Sequence, residues 1–231
     1  MLHLFEDRAD AGRQLAEQLM GYAARPGVIV LGLPRGGVPV AFEVATALGV
    51  PLDVFTALKL GVPGHAELAM GAVATGNVCV LSDDIVRAFG VSRDIVRSKV
   101  AAAEREVRDC DRRYRGERPP VDVHGCTVIL VDDGIATGAT VRAALSALRA
   151  QFASRIVVAT PVAAFDRLVA VEHLADEIVV LEMPARFHSV GAWYRAFPPV
   201  SEDEVRALLE RAAAELPEEM RIAAHVRESV A

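Results

Sequence analysis

Thirteen consecutive residues constrain this chain more than any others: Val-Ile-Leu-Val-Asp-Asp-Gly-Ile-Ala-Thr-Gly-Ala-Thr at positions 128–140. The first four, apolar and mostly β-branched, read as a strand buried on both faces, the kind found inside a parallel sheet. Asp132 and Asp133 then fall at the carboxyl end of that strand, which is where open α/β sheets hold their ligands. The residues that follow, Gly134 to Thr140, are small or hydroxyl-bearing, and they run into an alanine- and leucine-rich stretch, 141–152, with helical spacing. Backbone N–H groups at a helix start carry partial positive charge and favour a phosphate. The segment thus predicts a phosphate cradle beside two carboxylates, which suits a phosphorylated sugar whose hydroxyls need acceptors. A plainer reading, two Asp that merely cap the next helix, accounts for the acids but not for the loop.

The segment resembles the 5-phosphoribosyl-1-diphosphate (PRPP) binding motif of the type I phosphoribosyltransferases: apolar strand, acidic pair, then a Thr-Gly-x-Thr loop. The resemblance implies that Asp132 and Asp133 contact the ribose 2- and 3-hydroxyls. It also implies that Gly134 leads into a 5-phosphate loop made by Ile135, Ala136, Thr137, Gly138, Ala139 and Thr140. The fold it implies is α/β: a parallel, doubly wound sheet with flanking helices, a small variable hood and a flexible loop. Mg2+ is the implied cofactor, reached by Asp132 and Asp133 indirectly, through PRPP and water.

At 231 residues the chain is long enough to bury a full α/β core. The expectation is a single domain over 1–231, with a core at about 25–185, an N-terminal helix at 8–24 and a hood and tail at 186–231. The apolar runs are too short for a membrane span, and no basic, hydrophobic leader opens the chain, so a cytoplasmic location is expected. Cys79, Cys110 and Cys126 are isolated, which argues against structural zinc and a disulfide framework. A net charge of −6 argues against nucleic acid as a partner. A PRPP site must then draw its positive charge from a few residues and a divalent cation.

In chain order, Leu15, Leu19 and Tyr22 mark an amphipathic helix that packs on the sheet. A core strand at 28–31 leads to Leu-Pro-Arg-Gly-Gly-Val-Pro, where Pro39 suits the first turn of a helix over 38–48 and the glycine pair allows close approach to a ligand. In the resembled family this place is a pyrophosphate loop, so Arg35, Gly36 and Gly37 are assigned to the diphosphate, with an unusual peptide geometry allowed for. A second parallel strand is expected over 52–58, with Lys59 closing it as a further diphosphate contact. Residues 61–76, rich in Gly, Pro and Ala, are a candidate lid. His65 and Glu67 stand out there, and a solvated or capping role competes with proton transfer for each. Residues 72–74 and 78–81 suggest a small hairpin.

Ser92 caps a long helix, 93–114, whose stripe from Val96 to Tyr114 reads as core or a subunit seam and permits a homodimer. Arg105, Arg108, Arg112, Arg113 and Arg115, interleaved with acids, read as a solvated face. Strands at 155–160 and 177–181, joined by a helix at 163–174, complete an alternating pattern that predicts a parallel sheet. No dinucleotide or ATP-type glycine fingerprint occurs. The last segment is aromatic and irregular, and Ser201 opens a terminal helix by a capping box. Phe187, Trp193 and Tyr194, with Phe197, are candidates to stack on an acceptor ring; a tail packed on the core explains them equally well.

One position departs from the 6-oxopurine branch of the family, which has an Asp where this chain has Ala136. The expected function is transfer of the 5-phosphoribosyl group from PRPP to a nitrogenous acceptor such as a nucleobase, with release of diphosphate. Arg35, Lys59, Asp132 and Asp133 are the expected catalytic set. Two other readings remain open: a PRPP or nucleotide sensor that does not transfer, and a phosphosugar hydrolase with water as acceptor.

Overall fold

The computed structural model describes residues 4–216. Its elements run α1 (Arg8–Leu19), β1 (Val28–Gly32), α2 (Gly37–Leu48), β2 (Leu52–Val54), β3 (Ala57–Val62), β4 (His65–Ala74), β5 (Val78–Leu81), α3 (Asp83–Ala88) and α4 (Arg93–Arg115). They continue through β6 (Thr127–Val131), α5 (Ala139–Ala150), β7 (Arg155–Val162), α6 (Phe165–Glu172), β8 (Glu177–Glu182) and α7 (Glu202–Glu215). Five strands form a parallel sheet in the order β2-β1-β6-β7-β8.

Side chains alternate across a strand, and here both faces are apolar. Val28, Val30, Ile129, Val131 and Val157 pack against Leu15 and Leu19 of α1 and Val40, Val44 and Leu48 of α2. Ile29, Leu31, Val128, Leu130 and Ile156 pack against Val141, Leu145 and Leu148 of α5 and Val171 of α6. With each fully buried aliphatic side chain contributing about 1.5–3 kcal/mol, helices are drawn to both faces, and the sheet is doubly wound. The expected caps form: Ser92 Oγ accepts from Ile95 N at 3.4 Å, and Ser201 Oγ from Glu204 N at 3.1 Å.

The middle of the chain departs from expectation. Residues 52–58 are not one strand: β2 ends at Val54, and the chain crosses at Phe55 and Thr56 into a second, antiparallel sheet of order β3-β4-β5. Lys59 therefore lies inside β3, opposite Ala72, rather than at the carboxyl end of a parallel strand. The candidate lid at 61–76 is largely the ten-residue strand β4. The hairpin joining 72–74 to 78–81 is present, with Ala74 opposite Val78. Ala57, Ala72 and Ala74 continue the α5 side of the main core, while Leu60, Val62, Met70 and Val73 take Ala103 and Val107 of α4, with Val96 and Val100 half-buried beside them. The α4 stripe is thus covered within the chain. Arg115, expected on a solvated face, is buried, with 5% of its surface exposed.

From β1 the chain moves outward to β2, and after the second sheet it returns to β6 on the other side of β1. The connections that leave the carboxyl ends of β1 and β6 therefore diverge, opening the crevice where doubly wound sheets bind ligands.

Candidate active site at the β1/β6 switch point

Two loops meet in that crevice. After β1, Leu33 N donates to Val131 O at 2.9 Å, which stitches the base of the Arg35 loop to β6, and Gly37 N donates to Leu33 O at 3.0 Å to start α2. The Pro34–Arg35 peptide is cis, and the Arg35 side chain is exposed. After β6, Asp132 and Asp133 lie directly against this loop. A Cβ placed on Gly36 would sit 2.0 Å from Asp133 Oδ2, and one on Gly37 would sit 2.6 Å from Val131 O. Only glycines allow this approach. The structure therefore brings Arg35, Gly36, Gly37, Asp132 and Asp133 together.

The acids are half-buried. Asp132 Oδ1 accepts from Asp133 N at 3.0 Å. Burial, reinforced by the charge of Asp133, raises the Asp132 carboxyl well above the ordinary range. Burial also raises Asp133, against the pull of the Arg8 guanidinium. Arg8 Nε donates to Asp133 Oδ2 at 2.8 Å, a contact between residues 125 positions apart that no local pattern announces.

The loop that follows the acidic pair divides its labour. Ile135 N donates to Val162 O at 2.9 Å, Ala164 N donates to Ile135 O at 3.1 Å, and the Ile135 side chain is buried. Ile135 thus serves the sheet, unlike the phosphate contact expected of it. Ala136, Thr137 and Thr140 are exposed. Among the described residues the N–H groups of Ala136, Thr137 and Gly138 are not spent on backbone partners. Gly138 turns the chain at φ 69° into α5, whose first residue, Ala139, donates its N–H to Thr137 Oγ1 at 3.4 Å. An α-helix of 12 residues thus points its positive end at this loop.

The aromatic hood splits in two. Trp193 and Tyr194 are 7% and 6% exposed and pack with Phe5, so their ring faces belong to the core and are not open for stacking. Tyr194 instead donates its hydroxyl to Asp133 O at 2.6 Å; burial and the Asp133 charge push that hydroxyl's pKa up. Phe187 stays half-buried and, with Ala136 and Thr137 of the loop before α5, lines a cavity of about 1000 Å³. Phe165, Met183, Arg186 and His188 also line it, and none of these was singled out from sequence. His65 is exposed on β4, its ring 5.3 Å from that of Phe89; the Glu67 side chain lies outside the described residues.

Among the described residues no cluster of three or more metal-ligating side chains occurs, and no helix is long and apolar enough to cross a membrane. Residues 2–192 match the phosphoribosyl transferase domain family. The chain belongs to this family. Two Mycobacterium tuberculosis proteins, from strains CDC 1551 and H37Rv, carry the name phosphoribosyl transferase provisionally. Each is 46% identical over 214 residues, covering 91% of this chain and 47% of the relative. The chain therefore spans about half the length of these curated relatives. An orotate phosphoribosyltransferase from a Nocardioides species is 32% identical over 124 residues, or 52% of this chain and 69% of that one. The solved structure of TT1426 from Thermus thermophilus superposes with a TM-score of 0.83 at 41% identity, covering 90% of this chain and 98% of that one.

Proposed function

We propose that the protein transfers the 5-phosphoribosyl group of PRPP to a nitrogen of a small aromatic acceptor, releasing diphosphate. The observation that carries this reading is the meeting of two loops at the switch point. A guanidinium-bearing Gly-Gly loop sits against an acidic pair, and a helix-borne phosphate loop continues from that pair. These are the three groups that PRPP presents: diphosphate, ribose hydroxyls and 5-phosphate.

In the proposed reaction the bond from ribose C1 to the diphosphate oxygen breaks and a bond from C1 to the acceptor nitrogen forms, with loss of that nitrogen's proton. The N–H groups of Ala136, Thr137 and Gly138 hold the 5-phosphate. Asp132 and Asp133 accept from the ring hydroxyls and offset the positive charge that grows on the sugar. Arg35 draws the departing diphosphate, and Lys59 is proposed to assist from β3. Positioning carries most of the rate. Two adjacent carboxylates without a third ligand suit Mg2+, which is held by one or two carboxylates together with substrate phosphates and water. Bound there with PRPP, it would supply charge neutralisation for the leaving diphosphate. The cavity beside the phosphate loop, with Phe187 and Phe165 as apolar walls, is the proposed acceptor site.

The test is diphosphate release from PRPP and Mg2+, with and without a pool of nucleobases and related nitrogen heterocycles. Release that depends on the pool is expected, falling at least 100-fold in the Asp132→Asn, Asp133→Asn double variant, since each lost charge-assisted contact is worth roughly 1.5–3 kcal/mol. Equal release without acceptor would make the protein a hydrolase, and tight PRPP binding without turnover would make it a sensor.

A further inference from the structure

We infer that Arg8 is a positioning residue of the ribose subsite: it grips Asp133 by one carboxylate oxygen, leaves the other for a sugar hydroxyl, and ties that arrangement to the hood. The inference rests on the PRPP reading of the site.

Arg8 makes three contacts at once. Its Nε donates to Asp133 Oδ2 at 2.8 Å, its Nη1 donates to Pro198 O at 2.7 Å, and its guanidinium carbon lies 3.7 Å from the centre of the Phe197 ring. Tyr194, from the same hood segment, donates to Asp133 O at 2.6 Å. Asp133 is therefore held by α1, by the hood and, through the close approach of Gly36, by the diphosphate loop. Among the described residues nothing donates to Asp133 Oδ1. Gripping one oxygen fixes the plane of the carboxylate and keeps the second lone-pair set free for a hydroxyl.

The location of Arg8 strengthens the argument. It is the first residue of α1, where the helix dipole favours an acid and disfavours a cation. Asp7, the N-cap, already satisfies the helix start by accepting from Asp10 N at 2.8 Å. Arg8 is thus placed against the helix's own electrostatics, and its compensation is Asp133. A guanidinium also suits the task better than an ammonium, since its planar fork can meet a carboxylate, a carbonyl and a ring face together.

Arg8→Met keeps the stem and removes the donors; Arg8→Lys keeps the charge. With circular dichroism confirming the fold, the readouts are PRPP affinity by calorimetry, KM and kcat for PRPP, and emission of Trp193, the only tryptophan in the chain, which packs in the hood cluster. Arg8→Met is expected to weaken PRPP binding and raise its KM about tenfold or more, as loss of a charge-assisted contact predicts. Arg8→Lys should recover part of the PRPP affinity but leave Trp193 emission shifted, because one ammonium cannot also hold Pro198 and Phe197. In an Asp133→Asn background, Arg8→Met should weaken PRPP binding little further. Unchanged PRPP affinity in Arg8→Met, beside a lowered melting temperature, would reduce Arg8 to a structural clamp and overturn the inference. Tighter PRPP binding would also overturn it, by making Arg8 a competitor for Asp133. A wild-type protein that does not bind PRPP would remove the transferase reading, and this role with it.

Discussion

Arg115 meets Asp53 and Arg8 meets Asp133 at the same separation, 2.8 Å, and under similar cover: side chains 3% and 13% exposed in the first pair, 11% and 14% in the second. What remains over after each contact separates them. Arg115 Nε reaches both oxygens of Asp53, at 2.8 and 2.9 Å. Those oxygens also take Val54 N at 2.7 Å and Val121 N at 3.1 Å. The same guanidinium donates to Val54 O and lies 2.8 Å from Asp111, which accepts in turn from Thr75. Both Asp53 oxygens are spent on the fold, and Arg115 rivets β2, α4 and the start of the segment that returns to β6; its Nη1 has Asp111 as an ion-pair neighbour and no hydrogen-bond partner. The Asp133 pair, by contrast, keeps a free carboxylate oxygen and a like-charged neighbour. Asp53 spends both carboxylate oxygens on the fold, whereas Asp133 keeps one for a ligand.

The largest effect should come from breaking the Arg115 network. Arg115→Met leaves Asp53 and Asp111 buried without their counter-charge, which costs about 3–5 kcal/mol when a buried pair loses one partner. Urea unfolding should show that loss, while PRPP affinity at a temperature where the variant is still folded changes less than twofold. A stability loss under about 1 kcal/mol would erase the contrast between the two pairs.

Gly36→Ala attacks the open pair by volume instead of charge. The added methyl would fall 2.0 Å from Asp133 Oδ2, so either the carboxylate or the Arg35 loop must move. Overpacking of this kind costs roughly 1–3 kcal/mol, less than the loss of Arg115, yet PRPP affinity should fall tenfold or more. Retained affinity in a folded Gly36→Ala protein would separate the Arg35 loop from the ribose carboxylates.

How much of this was readable in advance depended on whether a feature was local. The strand at 128–131, the acids after it, the loop that opens α5 and both serine caps each lie within a few residues, where periodicity and hydrogen-bonding habit decide the outcome. The second sheet was missed because its cues are ambiguous. Residues 52–58, Leu-Asp-Val-Phe-Thr-Ala-Leu, are mostly apolar, and no Gly or Pro marks the change of sheet at Phe55 and Thr56. The glycine content of 61–76 suggested a lid, but Gly71 lies in β4 where a Cβ would meet Val80 O at 2.3 Å, so it serves close backbone approach. Arg115 was read from its charge and its arginine-rich surroundings, whereas its partners Asp53 and Val54 are more than sixty residues away. Arg8 and the Tyr194 hydroxyl depend on contacts 125 and 61 positions apart, and only the assembled fold creates those.

The smallest effect should run in the opposite direction, toward higher stability. Burial and the neighbouring Asp133 charge raise the Asp132 carboxyl in the folded chain. An acid whose pKa is raised on folding binds its proton more tightly when folded, so stability contributed by this group falls as pH climbs from the ordinary carboxylate value through the raised one. Asn at position 132 carries no such penalty and can still accept from Asp133 N through its side-chain oxygen. Asp132→Asn should therefore leave thermal stability unchanged near pH 3–4 and raise it at neutral pH. Melting curves across that range, run without ligand, make the measurement. Saturating PRPP with Mg2+ should reverse the order, because the wild type gains binding energy at the carboxylate that the variant lacks. A variant no more stable than wild type at neutral pH would mean that Asp132 is already compensated in the empty site, and the contrast with the Arg115 network would then rest on Asp133 alone.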